Sequence, residues 1–274
     1  MSVTITAADI NKLRQTTGAG MMDCRKALTE SNGDFEAAID WLRKQGQKVA
    51  AKRSDREAKE GVVIAQTTAD HKSGIVLCIS CETDFVSKNA EFVAFAQSIA
   101  DAAIANNVKT AEELNAVSVN GSTVTELIND KLAAIGEKIA LTKFERIDAP
   151  YVASYIHGAN RMGVLVAMTK EAAEAGKDVA MQIAAMNPLA VDETSIAPET
   201  VAREKEIAIE QIKAEGKPAE MAEKIAMGKV NKFFKENTLL AQAFVKDNSK
   251  SVADYLKSVD ADLKVTDFKR VALG

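Results

Sequence analysis

Gly74-Ile75-Val76-Leu77-Cys78-Ile79-Ser80 and Gly163-Val164-Leu165-Val166-Ala167-Met168-Thr169 line up as one phrase written twice, at an offset of 89 positions. Each is the second limb of a hairpin pattern. GVVIAQTTAD at 61–70 precedes the first across His71-Lys72-Ser73, and VASYIHG at 152–158 precedes the second. β-Branched runs flanking a short polar turn predict antiparallel strand pairs. A third strand follows in each copy, because Leu263–Val271 (LKVTDFKRV) matches Ile139–Ile147 (IALTKFERI) and shares its Thr, Phe and Arg positions. Between the strands of the first copy, Phe92, Phe95, Ala96, Ile99 and Ala103 mark one amphipathic helix, and Val124, Leu127, Ile128, Leu132 and Ile135 mark another. Val252, Tyr255, Leu256 and Val259 echo the latter. The fold class expected is α+β, with two related antiparallel α+β subdomains at residues 56–149 and 150–274.

Outward from that core, the second copy is interrupted at 197–237. Val201, Ile207, Ala208 and Ile212 line one amphipathic limb, and Met221, Ile225 and Phe233 line the other, joined at Gly216-Lys217-Pro218. A Gly-x-Pro joint between such limbs predicts an antiparallel helical hairpin, either folded back on its own core or offered to a partner. Residues 1–55 read as a three-helix bundle. Thr6 caps a helix carrying Ile10 and Leu13, Thr17-Gly18-Ala19-Gly20 breaks it, Asp23 caps a second, and the turn Asn32-Gly33 precedes a third with Phe35, Ala38, Ile39 and Leu42. The polar, basic stretch Gly46–Gly61 reads as a linker.

Composition removes much chemistry. The chain has 274 residues, with 39 acidic against 35 basic, and it is 47% apolar and 27% charged, the balance of a globular chain. No apolar run reaches the ~18–20 residues of a membrane span, and MSVTITAADINK lacks the order of a signal peptide, so a cytoplasmic location is expected. Three cysteines do not make a disulfide framework, and two histidines leave little for a metal site. An acidic balance argues against direct binding of nucleic acid. Cys78 and Cys81 have CxxC spacing, but an odd separation on a strand sends their thiols to opposite faces. His71 reads as a solvated turn residue. No phosphate-binding glycine motif, nucleophile-base pair or carboxylate dyad can be assembled, so no catalytic residue, metal or cofactor is expected.

One connection stands out. In Glu82-Thr83-Asp84-Phe85-Val86 a strand ends and a helix begins near Ser87–Asn89, leaving an acid and an aromatic at the junction. Such a Phe either tucks under its own helix or anchors a partner. Spacing alone favours tucking. At the same offset the second copy has Ala172, Ala173, Glu174 and Ala175, lacking the pair, which tilts the reading toward interaction.

TGAGMMDCRKAL at 17–28, NGDFEAAIDWLR at 32–43, ETDFVSKN at 82–89 and SYIHGANRMGVLV at 154–166 together resemble the bacterial elongation factor Ts family, over nearly the whole chain and in order. The resemblance implies a ubiquitin-associated-like bundle, two related α+β subdomains and an inserted coiled-coil hairpin. It implies a guanine-nucleotide exchange factor that binds elongation factor Tu in GDP-bound and nucleotide-free forms and dislodges its magnesium. The family's segment for that step corresponds to Thr83, Asp84, Phe85 and Val86, and its second contact to His157. N-terminal contacts correspond to Thr17, Gly18, Gly20, Met21, Met22 and Lys26, although the adjacent methionines also suit a core. A homodimer through the hairpin is left open. Two departures stand: the helical segment that some members add is not matched beyond LKVTDFKRVAL, and HGANRMG is one residue longer than the tighter turn expected. An adaptor that binds without changing nucleotide release is the competing class.

Overall fold

The structure, a computed structural model, describes residues 4–53, 55–214 and 219–274. Three helices open it: α1 (Ala7–Thr17), α2 (Met21–Glu30) and α3 (Phe35–Lys52). Thr6 starts α1 with a capping box, its hydroxyl accepting from the Asp9 N–H while the Asp9 carboxylate accepts from the Thr6 N–H, so two otherwise orphaned donors are satisfied. Gly18 ends α1 in the left-handed region at φ 70°. The cap of α2 differs from expectation. Gly20 occupies it, and Asp23 lies inside the first turn, where its charge favours the helix N-terminus. Leu13, Cys24, Ala27, Leu28 and Ala38 form the small core of this bundle.

The expected linker from Gly46 is corrected in its first part, because α3 runs on to Lys52. Gly46 is buried, and a Cβ there would lie 3.2 Å from Ala133 Cβ. Val49 packs onto the next core. Tertiary contact therefore extends the helix through a polar stretch that local composition would end.

The first copy runs β1 (Glu60–Thr67), β2 (Ser73–Cys81), α4 (Asp84–Ser87), α5 (Ala90–Ala105), α6 (Ala111–Ala116), the two-residue strands β3 (Ser118–Val119) and β4 (Ser122–Thr123), α7 (Val124–Ile135) and β5 (Ala140–Asp148). The second runs β6 (Tyr151–His157), β7 (Met162–Met168), α8 (Ala173–Met186), α9 (Pro198–Ala214), α10 (Ala219–Asn237), β8 (Ala243–Phe244), β9 (Asp247–Ser251), α11 (Val252–Val259) and β10 (Val265–Ala272). The two main sheets are antiparallel, with orders β1-β2-β5 and β6-β7-β10, so the repeat read in the sequence is a repeat of topology. Ala172–Ala175, aligned above with Thr83–Val86, lies at the start of α8 itself.

The sheets stack face to face through Val63, Val76, Cys78, Val152, Leu165 and Val271. Helices cover their outer faces. Phe92 and Ile99 of α5 and Leu132 of α7 pack on Ile75, Leu77 and Ile79, while Val179 and Ile183 of α8 and Leu256 of α11 pack with Val164 and Val166. The result is four layers, helix, sheet, sheet, helix. The two cysteine faces separate as the strand period requires, Cys81 into the outer core and Cys78 into the inter-sheet layer.

The stacking is reciprocal. A Cβ on Gly74 would lie 2.9 Å from Val152 Cγ1 and 3.0 Å from Leu165 Cδ2; one on Gly163 would lie 3.0 Å from Val63 Cγ1 and 2.9 Å from Val76 Cγ2. The hairpin turns reciprocate as well. The Val152 N–H donates to His71 O at 2.6 Å, and the Val63 N–H donates to Asn160 O at 2.7 Å. Each turn residue has positive φ, 55° at His71 and 65° at Asn160, and caps the first strand of the other sheet. His71 is exposed but not merely solvated, since its ring stacks on Tyr151 with centroids 5.3 Å apart.

The inserted α9 and α10 meet through Ala208, Ile212 and Ala226, with Lys229 Nζ donating to Gln211 Oε1 at 3.0 Å. Ile207, expected on that packing face, is exposed instead. The joint Gly216-Lys217-Pro218 lies outside the described residues. The base is stapled, with Leu189 N–H on Asn237 O at 2.8 Å and Leu239 N–H on Ala190 O at 2.9 Å. Among the described residues no helix is long and apolar enough to cross a membrane.

Candidate partner-binding site

β2 is buried along its length and hands the chain to Glu82 and Thr83 at the sheet end. Thr83 occupies the N-cap of α4 in extended conformation, yet its hydroxyl does not cap the helix. The hydroxyl donates to Glu137 Oε1 at 2.7 Å, and the Thr83 N–H donates to Glu137 Oε2 at 3.0 Å. Glu82 reciprocates by accepting the Lys138 N–H at 2.6 Å. It also binds Arg53 Nη1 at 2.9 Å and Arg56 Nη1 at 3.1 Å. The Lys138 N–H, then the two guanidinium groups, hold the Glu82 carboxyl below its ordinary range. The Cys81 thiol donates to Thr83 O at 3.2 Å and is pushed up to about 12, chiefly by burial and then by the charges of Glu137 and Glu60.

From that anchored start, α4 sends its side chains in different directions. Val86 packs on the first core. Phe85 is 86% exposed, so it projects, and the tucked alternative is excluded. Asp84 pairs with Lys88 at 2.6 Å, which draws its carboxyl below the usual value. Asn89 then caps α5 by accepting the Glu91 N–H at 2.8 Å.

The α1–α2 turn faces the same region. The Thr17 hydroxyl donates to Leu13 O at 2.8 Å and stiffens the end of α1. Met21 and Met22 are 59% and 73% exposed, so neither fills the bundle core. Lys26 Nζ sits 5.6 Å from the Trp41 ring centroid, within cation–π reach. A groove of about 880 Å³ runs between the bundle and the first copy, lined among others by Thr17, Gly18, Lys26, Trp41, Phe85 and Val86. Two segments far apart in sequence thus share one groove. Thr83, Asp84, Gly20, Met21 and Met22 do not line it.

His157 does not line the groove either. It ends β6, exposed, with Nδ1 3.0 Å from the Tyr155 hydroxyl. The turn after it carries positive φ at Gly158, Ala159 and Asn160, and the Asn160 amide donates to Val63 O at 3.1 Å. Arg161 pairs with Glu60 at 2.9 Å. The extra length of HGANRMG therefore lets the turn reach the edge of the other sheet.

Sequence reasoning missed Glu137 and the tie from Arg53 and Arg56 to Glu82. A signal existed in the pairing of strand ends, because Ser80 faces Ala140, so residues just beyond them must neighbour one another. Among the described residues no three His, Cys, Asp or Glu side chains gather as a metal site.

The site is thus an exposed aromatic on a braced turn at the rim of a groove between two modules, and it holds no catalytic constellation among the described residues. The family model described as "Elongation factor TS" matches residues 82–274. Curated proteins named elongation factor Ts align over almost the whole chain. The one from Flavobacterium psychrophilum is 52% identical over 99% of this chain and 99% of its own length. That from Christiangramia forsetii is 50% identical over 98% and 99%, and that from Clostridium perfringens 45% over 98% and 93%. The chain belongs to the elongation factor Ts family, a family of translation elongation factors.

Proposed function

We propose that this chain is a guanine-nucleotide exchange factor that binds elongation factor Tu with GDP, dislodges its magnesium and promotes GDP release and replacement by GTP. The observation that carries the reading is Phe85, 86% exposed on a turn held before it by the Thr83–Glu137 bonds and after it by Val86 packing and the Asn89 cap. Full burial of a Phe side chain is worth about 1.5–3 kcal/mol, comparable with a typical coupling free energy of about 1–3 kcal/mol between two ligands. Phe85 enters an apolar slot in the partner's nucleotide domain, with Thr83, Asp84 and Val86 around it, and displaces the elements that hold magnesium and phosphate. Exposed Met21 and Met22, with Thr17, Gly18, Gly20 and Lys26, supply a second hold, and His157 a third. Exchange makes and breaks no covalent bond, so the factor acts by differential binding alone. Reciprocity follows: if the factor weakens GDP binding, GDP weakens the factor by the same ratio.

The reading places the chain in the cytoplasm, where translation runs. Exposed Ile207 and Met227 on the hairpin support a contact with a second copy there, which sedimentation equilibrium of the full chain resolves. The deciding experiment is release of fluorescent GDP from elongation factor Tu at saturating factor. Strong acceleration that falls with Phe85→Ala supports the reading. Binding without acceleration sinks it in favour of an adaptor.

A further inference from the structure

We propose that Glu137 is the positioning residue of the Phe85 turn, setting the direction in which the aromatic is presented; this rests on the reading of Phe85 as the wedge. A Thr at a helix N-cap ordinarily accepts a hydrogen bond from the second or third residue of its helix. Thr83 instead gives both its hydroxyl and its N–H to the two oxygens of one carboxylate, at 2.7 and 3.0 Å. α4 is thus left without a side-chain cap, and four residues cannot sustain a helix unaided. Its direction comes from outside. Two parallel bonds to a charged acceptor fix orientation as well as position, and Glu137 supplies both from the segment that leads into the neighbouring strand β5. The neighbouring residues make the complementary bond, Lys138 N–H to Glu82, so the two connections clasp each other.

Downstream, Val86 is held by the core and Asn89 by its cap on α5. Between the Glu137 clasp and Val86 lie only Asp84 and Phe85. The aim of the Phe85 backbone is therefore bounded on one side by packing and on the other by Glu137. The second copy shows the contrast. Near the end of β7, Lys170 pairs with Asp260 at 2.7 Å, a side-chain contact that no short helix or aromatic follows.

The test measures GDP release from elongation factor Tu over a range of factor concentrations, with the full-length chain and its Glu137→Ala, Glu137→Gln, Phe85→Ala and Glu137→Ala/Phe85→Ala forms. Glu137→Ala is expected to lower the saturating rate about tenfold, equivalent to ~1.4 kcal/mol, with a much smaller change in the half-saturating concentration. Gln keeps an acceptor for the Thr83 N–H and can donate to the Thr83 hydroxyl, so Glu137→Gln is expected to retain most of the rate. In the Phe85→Ala background, Glu137→Ala is expected to add nothing, because a residue that acts through Phe85 has nothing left to aim. An undiminished saturating rate in Glu137→Ala, while Phe85→Ala is slow, overturns the inference and leaves the wedge standing. Equal losses in both backgrounds also overturn it, since they point to a general structural role. A Phe85→Ala form as fast as wild type overturns the wedge, and the inference with it.

Discussion

Replacing Gly163 by Ala should loosen the stacked sheets. The added Cβ would stand 2.9 Å from Val76 Cγ2, 3.0 Å from Val63 Cγ1 and 3.1 Å from Ala65 Cβ. Carbon atoms in contact prefer about 3.5–4.0 Å. Two of the three neighbours are buried valines with stiff χ1, and the third has no χ1 to turn, so none can swing aside cheaply. The sheets must instead separate by several tenths of an ångström. Overpacking of this kind costs about 1–3 kcal/mol, offset by about 0.5–1 kcal/mol from removing a glycine from a strand. The mid-range values leave a net loss of about 1 kcal/mol, within outer bounds of about 0–2.5, to be read by urea unfolding followed by circular dichroism. Gly74→Ala, facing Val152 and Leu165 across the same layer, should lose a similar or slightly smaller amount, because a Leu yields more readily than a Val. Trimming the obstacle gives the sharper check: Gly163→Ala/Val76→Ala should be less destabilised than the sum of its single changes, by about 0.5 kcal/mol or more. A Gly163→Ala form more stable than wild type, or strict additivity in the double form, would refute the close approach of the sheets at this glycine.

Glu82 has a depressed carboxyl in the folded chain, so its contribution is present above the unfolded value of about 4.3 and is lost as the pH falls through the lower folded value. The Lys138 amide resonance, which reports its bond to Glu82, should titrate with a midpoint below about 4.3; a midpoint at or above that value would contradict the clasp. Cys24, Cys78 and Cys81 are all buried, and Cys81 is pushed up to about 12. None should react with a disulfide reagent at neutral pH until the chain is unfolded, and prompt labelling of the native protein would show that the cores are more open than described.

The strands and their hairpin pairing were legible because Gly-then-apolar runs recur at a constant offset beside short polar turns, and the central runs are apolar at nearly every position because both faces of each sheet are covered. Thr6 and Asn32-Gly33 were legible because caps and left-handed turns are local chemistry. The losses have a common cause in long-range contact. α8 escaped notice because small residues, Ala175, Gly176, Ala180 and Ala184, dilute the stripe that Val179 and Ile183 make: a Cβ on Gly176 would sit 2.6 Å from Ala153 Cβ, so the helix lies hard against its sheet there. α3 overran its expected end because Gly46 fits against residues nearly ninety positions away. For Phe85, local spacing favoured tucking and the repeat argued the other way. The direction of α4 is set by Glu137, more than fifty residues on, and no pattern within the ETDFV segment encodes it.

The reciprocal contacts between the two sheets also bear on where the copies differ. Gly74 and His71 of the first copy meet Val152 of the second, and Gly163 and Asn160 of the second meet Val63 of the first, so a change at any of them disturbs the other copy as well. The connections on the far side of each sheet carry no such obligation, and there the copies differ. The first lengthens its strand-to-helix connection by α4 and the Phe85 turn; the second keeps that connection short and places a helical hairpin after α8. The base of each addition is fastened, by Glu82 and Glu137 in the first and by the Leu189–Asn237 and Ala190–Leu239 bonds in the second. Loops held by a rigid scaffold are where binding residues concentrate. Two copies of one topology, joined through a shared layer, thus present two different surfaces away from it. The groove beside Phe85 gains its second wall from the N-terminal bundle, which the second copy lacks. That asymmetry leaves the exposed Phe85 beside a two-walled groove, while the turn after His157 meets the edge of the other sheet.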